Sequence, residues 1–249
     1  MSERIRIVER AEIPAGLRAI FGLPDVGLVG TIAASHLISK MKLNEVAYVK
    51  SDLLPPIIML EGGLPKAPIR IFGNEKLVVL TSEIAIPSSS IHAIIEALID
   101  WVWKKKAHEV FTLGGLPVPN RYEIEKPKIF GAASIRNLLE RLKEKNVQPI
   151  QRGFLVGPQA LILSFCAELG IPAIALLAEC FHNYPDPEAS SIVIQALNRM
   201  IDMDIDVSEL IEKGEEVRLA MRDMMRRTQA ELSRMRKSHE YDIPGYYIK

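Results

Sequence analysis

Short apolar runs rich in valine and isoleucine alternate along this chain with longer segments whose apolar residues recur at helical spacing, the pattern of an α/β fold. The runs at 5–8, 46–49, 76–81, 109–113, 153–156 and 173–177 read as strands. Two more, 57–60 and 69–72, read as a hairpin joined by Glu61-Gly62-Gly63-Leu64-Pro65-Lys66, where glycine and proline punctuate the chain. Between them, 31–40 is helix-like, and 88–105 opens on serines that offer capping oxygens before Ile91, Ile94, Ile95, Leu98 and Val102 fall on one face. Helices are also predicted over 134–146, over 158–169 with proline in the first turn and Gly170 after the last, and over 188–203 behind Pro185-Asp186-Pro187. The helices from 88 to 203 are expected to be crossovers between strands. Together these elements predict a core over 1–205 with a mostly parallel sheet flanked by helices in three layers.

The pattern changes over 207–239, read as one long helix with no strand behind it. Leu210, Val217, Met221, Met224, Met225, Leu232 and Met235 form a thin, methionine-rich stripe, and the other positions are charged. A narrow stripe fits a coiled coil or a projecting arm, while a final helix lying on its own domain stays open as the alternative. The chain then runs Tyr241-Asp242-Ile243-Pro244-Gly245-Tyr246-Tyr247-Ile248-Lys249, an aromatic ending in place of the usual polar one. Such an end must fold back or insert into a partner, and aromatic anchors near a terminal carboxylate suit a pocket. Residues 206–249 are therefore set apart as a C-terminal helical extension and tail.

A second departure is Phe21-Gly22-Leu23-Pro24-Asp25-Val26-Gly27-Leu28-Val29-Gly30, a glycine-rich turn between an apolar run and a helix. Phosphate cradles use glycines there too, but a P-loop ends in Gly-Lys-Ser/Thr, and here Gly30-Thr31-Ile32 has no lysine. The dinucleotide fingerprint is also missing, and Asp25 would repel a phosphate. Gly22, Gly27 and Gly30 are expected to serve geometry, allowing a tight turn and close backbone approach.

Composition narrows the options. The 249 residues carry 31 basic and 31 acidic side chains, so net charge argues for neither nucleic acid nor an anionic membrane. The N-terminus has no secretion-signal pattern and no apolar run reaches membrane-span length, so a soluble cytoplasmic protein is expected. Cys166 and Cys180 read as buried thiols in a reducing compartment, and Cys180-Phe181-His182 places a thiol near an imidazole by sequence alone. His36, His92, His108, His182 and His239 form no metal-ligand spacing, so no metal and no cofactor are expected. Asp25, Glu83 and Glu179 follow apolar runs, where open α/β sheets bind ligands, and could form an acid/base cluster. Its remaining parts, Ser82, Ser88, Ser89, Arg121 or His182, would have to be recruited, and caps and loop hydrogen bonds are the plainer reading. The basic stretch 222–237 lacks interleaved aromatics and follows an acidic run, which favours a solvated helix or an acidic groove over RNA.

Three stretches carry a family resemblance: Gly22 through Ala34, Leu113-Gly114-Gly115-Leu116, and 170–179 followed by Pro185-Asp186-Pro187-Glu188-Ala189. In them the chain resembles the proteasome assembly chaperone 2 family of the archaeal type. The resemblance implies a core similar to nucleoside phosphorylases and hydrolases, used for protein interaction without established catalysis, and it implies homo-oligomers. It also implies a partner-binding end of hydrophobic residue, tyrosine and any residue, whose carboxylate pairs with a lysine between proteasome α subunits. Tyr246-Tyr247-Ile248 matches that pattern, and Lys249 displaces the carboxylate by one residue. The expected function is an ATP-independent, non-enzymatic chaperone or adaptor anchored by Tyr246, Tyr247 and Ile248, with Met221, Met224, Met225 and Arg227 in support. The alternative is a nucleoside or nucleotide hydrolase or phosphorylase.

Overall fold

The computed structural model describes residues 4–235. One nine-stranded sheet runs through it, built from β1 (Ile5–Glu9), β2 (Arg18–Gly22), β3 (Asn44–Ser51), β6 (Ile69–Gly73), β7 (Leu77–Ser82), β8 (Glu109–Pro117), β9 (Ile129–Ala133), β10 (Gln148–Pro149) and β11 (Ala173–Cys180). The spatial order is β1-β3-β6-β7-β2-β8-β11-β9-β10. The sheet is mixed, which corrects the expectation of a mostly parallel one. The four central strands β7, β2, β8 and β11 are mutually parallel, whereas β1, β3, β6 and β7 pair antiparallel in turn and β9 runs against β11. Short connections decide this, because only a crossover can join parallel neighbours. Between β6 and β7 only Asn74-Glu75-Lys76 intervenes, with the Asn74 Oδ1 accepting from the Lys76 N–H (2.9 Å) and the Leu77 N–H (3.1 Å).

Successive side chains on a strand point to opposite faces, and β2 shows the result. Ile20 joins a core with α1 (Val29–Lys40), α3 (Asn137–Glu144) and α5 (Pro187–Ile201), while Ala19 and Phe21 join the core under α2 (Ile91–Lys104) and α4 (Pro158–Glu168). Three layers follow: helices, sheet, helices.

Several boundaries differ from the sequence expectation. The 57–60 run becomes β4 (Met59–Glu61), which pairs across Gly62-Gly63 with β5 (Leu64–Lys66) in a separate ribbon, and 69–72 enters the main sheet instead. Glycines at φ +58° and +81° close that turn in two residues, a geometry the longer loop had obscured. Residues 153–156 form no strand; the position beside β11 is taken by β9, and Phe154 stays exposed. The strands β2, β9 and β10 were not among those expected. α5 is followed by no further strand among the described residues, so it is no crossover; it packs on α1. Ser90 stands before α2, but its hydroxyl donates to the Pro87 carbonyl (3.1 Å) and caps no helix N–H. The long terminal helix is broken at Lys213 into α6 (Ser208–Glu212) and α7 (Gly214–Arg234). Val207, Leu210, Met225 and Leu232 belong to the same buried cluster as α1 and α5.

Candidate interaction site at the strand ends

The parallel strands β2, β8 and β11 end at Gly22, Pro117 and Cys180, and their following loops converge on the glycine turn. Gly22 and Gly30 lie where backbone meets backbone. A Cβ on Gly30 would fall 2.2 Å from the Leu113 carbonyl oxygen of β8, and one on Gly22 would fall 2.3 Å from the Ala34 Cβ and 2.4 Å from the Gly30 carbonyl oxygen. Gly27 sits at φ +61° inside the 3-10 turn Val26–Leu28, in the left-handed region that glycine enters without a Cβ penalty. Its carbonyl accepts the Asp186 N–H (2.8 Å), which ties the turn to the loop before α5.

Asp186 is the hub of this end. It is fully buried and caps α5, its Oδ1 accepting the Ala189 N–H (3.0 Å) while its Oδ2 accepts the Phe181 N–H (3.2 Å). Arg121, in the 3-10 turn after β8, donates from Nε to Asp186 Oδ2 (2.9 Å) and from Nη2 to Asp186 Oδ1 (3.3 Å) and Glu188 Oε2 (2.6 Å). Its Nη1 donates to the Ile124 carbonyl (2.8 Å), and the Phe181 ring lies 5.0 Å from the guanidinium. Burial alone would lower the Arg121 pKa, but the hydrogen bond with Glu188 and the charge of Asp186 outweigh it and hold the pKa above its ordinary value. Removing one partner of a buried pair strands the other charge, so Arg121→Ala is expected to destabilise the fold by about 3–5 kcal/mol. Urea titration of both proteins checks that figure.

Above this ion pair Phe181 packs against Tyr122 (centroids 4.6 Å apart) and Tyr184 (6.4 Å), and the two tyrosines are 78% and 58% exposed. Sequence reasoning missed this aromatic group. Pro185-Asp186-Pro187 was legible as a helix start, but nothing local tells Asp186 that its cation lies 65 residues earlier.

The proposed acid/base set is otherwise engaged. Glu83 bonds Arg70 (3.2 Å), the Glu179 carboxylate accepts the Lys128 N–H (2.8 Å), and Asp25 is fully buried. Ser82 bonds the Ile84 carbonyl (2.7 Å). Burial pushes the Cys166 thiol up to about 12, far from a thiolate at neutral pH, and Cys180 is buried as well. Among the described residues no three His, Cys, Asp or Glu side chains are placed to hold a metal ion, and no helix is long and apolar enough to cross a membrane.

α7 packs on the glycine turn. Met225 is 1% exposed and Thr228 and Leu232 are buried beside it, so Met225 spends its side chain on this chain's own core. Met221 and Met224 are half-buried, and Arg227 is exposed. Near the end of α7 the Glu231 carboxylate accepts the Ser88 N–H (2.8 Å) just before α2. Tyr246, Tyr247 and Ile248 lie outside the described residues.

At its other end the extension is clamped by Glu209, which bridges Lys40 of α1 (2.9 Å) and Lys213 (3.0 Å), while His36 Nε2 meets the Asp206 carbonyl (2.7 Å). The hydrogen bond to Lys40, then that to Lys213, holds the Glu209 pKa down at about 2, against an ordinary 4.5. A depressed carboxylate contributes stability that is full above its unfolded value and lost as pH falls through the folded one. The α6–α1 contact is therefore expected to loosen between pH 4.5 and about 2. Hydrogen exchange of Ser208–Glu212 across that window checks the sign, with Glu209→Gln separating the share of Glu209 from that of Asp206, whose pKa the hydrogen bonds from Ser208 also hold down.

Fold and site define an α/β protein whose strand-end face is packed by its own buried ion pair and overlaid by its C-terminal helix, with aromatic side chains turned outward. Residues 19–225 match the model of the PAC2 family, and the chain belongs to that family. A Methanocaldococcus jannaschii protein described as uncharacterized is 28% identical over 240 residues, covering 96% of this chain and 98% of its own. Among solved structures, Pyrococcus furiosus PbaA, described as an archaeal homolog of proteasome-assembly chaperone, superposes with a TM-score of 0.85 at 25% identity, over 91% of this chain and 98% of PbaA. Pyrococcus furiosus PbaB, described as an archaeal proteasome activator, gives 0.76 at 25% identity, over 89% and 98%.

Proposed function

We propose that this protein is a non-enzymatic, ATP-independent assembly chaperone or adaptor that self-associates and engages proteasome α subunits or a related complex. The observation that carries the reading is the likeness to both PbaA and PbaB over nearly the whole of each chain. In this reading residues 1–205 are the scaffold and 206–249 the partner-facing unit, with Tyr246, Tyr247 and Ile248 as anchors. Arg227 stands on the exposed face of α7, with Met221 and Met224 at its border, and Met225 acts indirectly by seating the helix. The β4–β5 ribbon, where Leu60, Leu64 and the Ile58 just before β4 are exposed, is a candidate surface for contact between copies, because neighbouring exposed apolar side chains mark interaction sites. Neither nucleic acid nor membrane is a proposed partner, and the proposed location is the cytoplasm.

The engagement of Glu83 by Arg70 and of Glu179 by the Lys128 N–H speaks against a hydrolase. Co-sedimentation of the purified chain with proteasome core particles tests the proposal: a complex is expected, and its absence at micromolar concentrations contradicts the reading.

A further inference from the structure

α7 is buried at Met225, Thr228 and Leu232, but its first turns stand off from the body. Between α1 and α6–α7 they leave a crevice of about 360 Å³ with an apolar wall of Ile32, Val217 and Met221. Glu209 and Glu216 line it against the single cation of Lys213, so its lining is negative at neutral pH. Methionine adapts its shape to a neighbour and packs well on aromatic rings, so such a crevice suits one large aromatic side chain.

A side chain of that kind stands on the opposite helical layer. Of the two tryptophans, Trp101 is buried and donates from Nε1 to the Glu9 carboxylate (2.8 Å), whereas Trp103, near the end of α2, is 53% exposed. It shares a groove with the exposed Leu169 and Lys106, and no acidic side chain lines that groove. Tryptophan is enriched among the side chains that anchor protein interfaces, and an exposed apolar patch rimmed by charge marks an interaction site. α1 and α2 pack on opposite faces of the sheet, so Trp103 does not reach the crevice of its own chain.

We propose that Trp103 of one copy inserts into the α1–α7 crevice of a second copy, against Met221 and Val217, with Lys106 brought to the negative lining at Glu216. Shape and charge both match: an exposed ring beside a cation meets an apolar crevice edged by carboxylates. The two surfaces lie on different parts of the molecule, so the contact is heterologous, and repeated from copy to copy it closes a ring or runs on as a filament. This deepens the self-association within the proposed function and rests on that part of it; proteasome binding plays no role.

Sedimentation velocity over a range of protein concentrations tests it with Trp103→Glu, Ala220→Arg and an equimolar mixture of the two. Ala220 is exposed and lines the crevice, so arginine there fills it and repels Lys106. Both altered positions are exposed, and both variants are expected to unfold cooperatively on heating. The unaltered chain should associate at micromolar concentration, and each variant at least about 30-fold more weakly. The mixture should regain association, because one variant brings an intact crevice and the other an intact tryptophan. Association of either variant equal to that of the unaltered chain overturns the proposal and leaves self-association to another surface. A mixture no stronger than its components also overturns it. A monomeric unaltered chain removes self-association as a whole. Proteasome core particles are absent from every sample, so failure here and failure of the proteasome reading are separate results.

Discussion

Gly30→Val is expected to cost more than about 4 kcal/mol of stability, enough to threaten a domain whose total lies in the usual range of about 5–15 kcal/mol. The cause is a collision between main chains. The added Cβ would stand 2.2 Å from the Leu113 carbonyl oxygen and 3.3 Å from that of Leu23, and neither can turn aside as a side chain would. Relief requires α1 to lift from the sheet, which opens the core at Ile32, Ala33 and Leu37. Gly214→Ala is the natural contrast: its Cβ meets nothing within 4 Å and its φ is not positive, so the change should be neutral or stabilising by up to about 1 kcal/mol. Denaturant titrations followed by circular dichroism compare the two directly. A Gly30→Val protein within about 1 kcal/mol of the parent would show that the turn is not packed as described.

Much of the fold was legible because buried central strands are written as unbroken apolar runs. β7, β8 and β11 are buried along their entire length, and each was visible in the sequence. β9 was not, because Ile129-Phe130-Gly131-Ala132-Ala133 is small and glycine-containing, and its glycine is there to admit Leu142, whose Cδ2 would lie 2.7 Å from a Cβ. Residues 153–156 have strand-like composition yet form none, since composition does not say which segment occupies the place beside β11. The mixed sheet was hidden for the same reason: strand direction follows from which neighbours pair, and β6 and β7 pair through a three-residue link inside what looked like an α/β alternation.

The candidate site was legible in its parts and not in its assembly. The glycine turn and the Asp186 helix start stand out locally, but the Arg121–Asp186 pair and the aromatic group above it join loops remote in sequence. The methionine stripe of α7 showed that the helix has a partner surface. It could not show that Met225 faces this chain's own glycine turn, because a narrow apolar stripe has the same spacing whether it docks in cis or in trans.

The largest functional effect is expected from the last four residues. Aromatic side chains buried at the centre of an interface commonly contribute 2 kcal/mol or more each, so losing Tyr246 and Tyr247 together should weaken a single tail by roughly 100-fold to 1,000-fold. In an oligomer the loss is larger, because tails held on one scaffold bind with a gain of about 10²–10⁴ when their spacing matches the partner's sites. α7 is pinned to the body at Glu231, so the described part of the extension ends at a fixed place on the body. The measurement that bears most directly on this is sedimentation velocity of proteasome core particles mixed with the full chain or with a chain ending at Gly245. The full chain should travel with the particles and the shortened chain should not, while both still unfold cooperatively on heating. Equal co-migration of both chains would contradict the account.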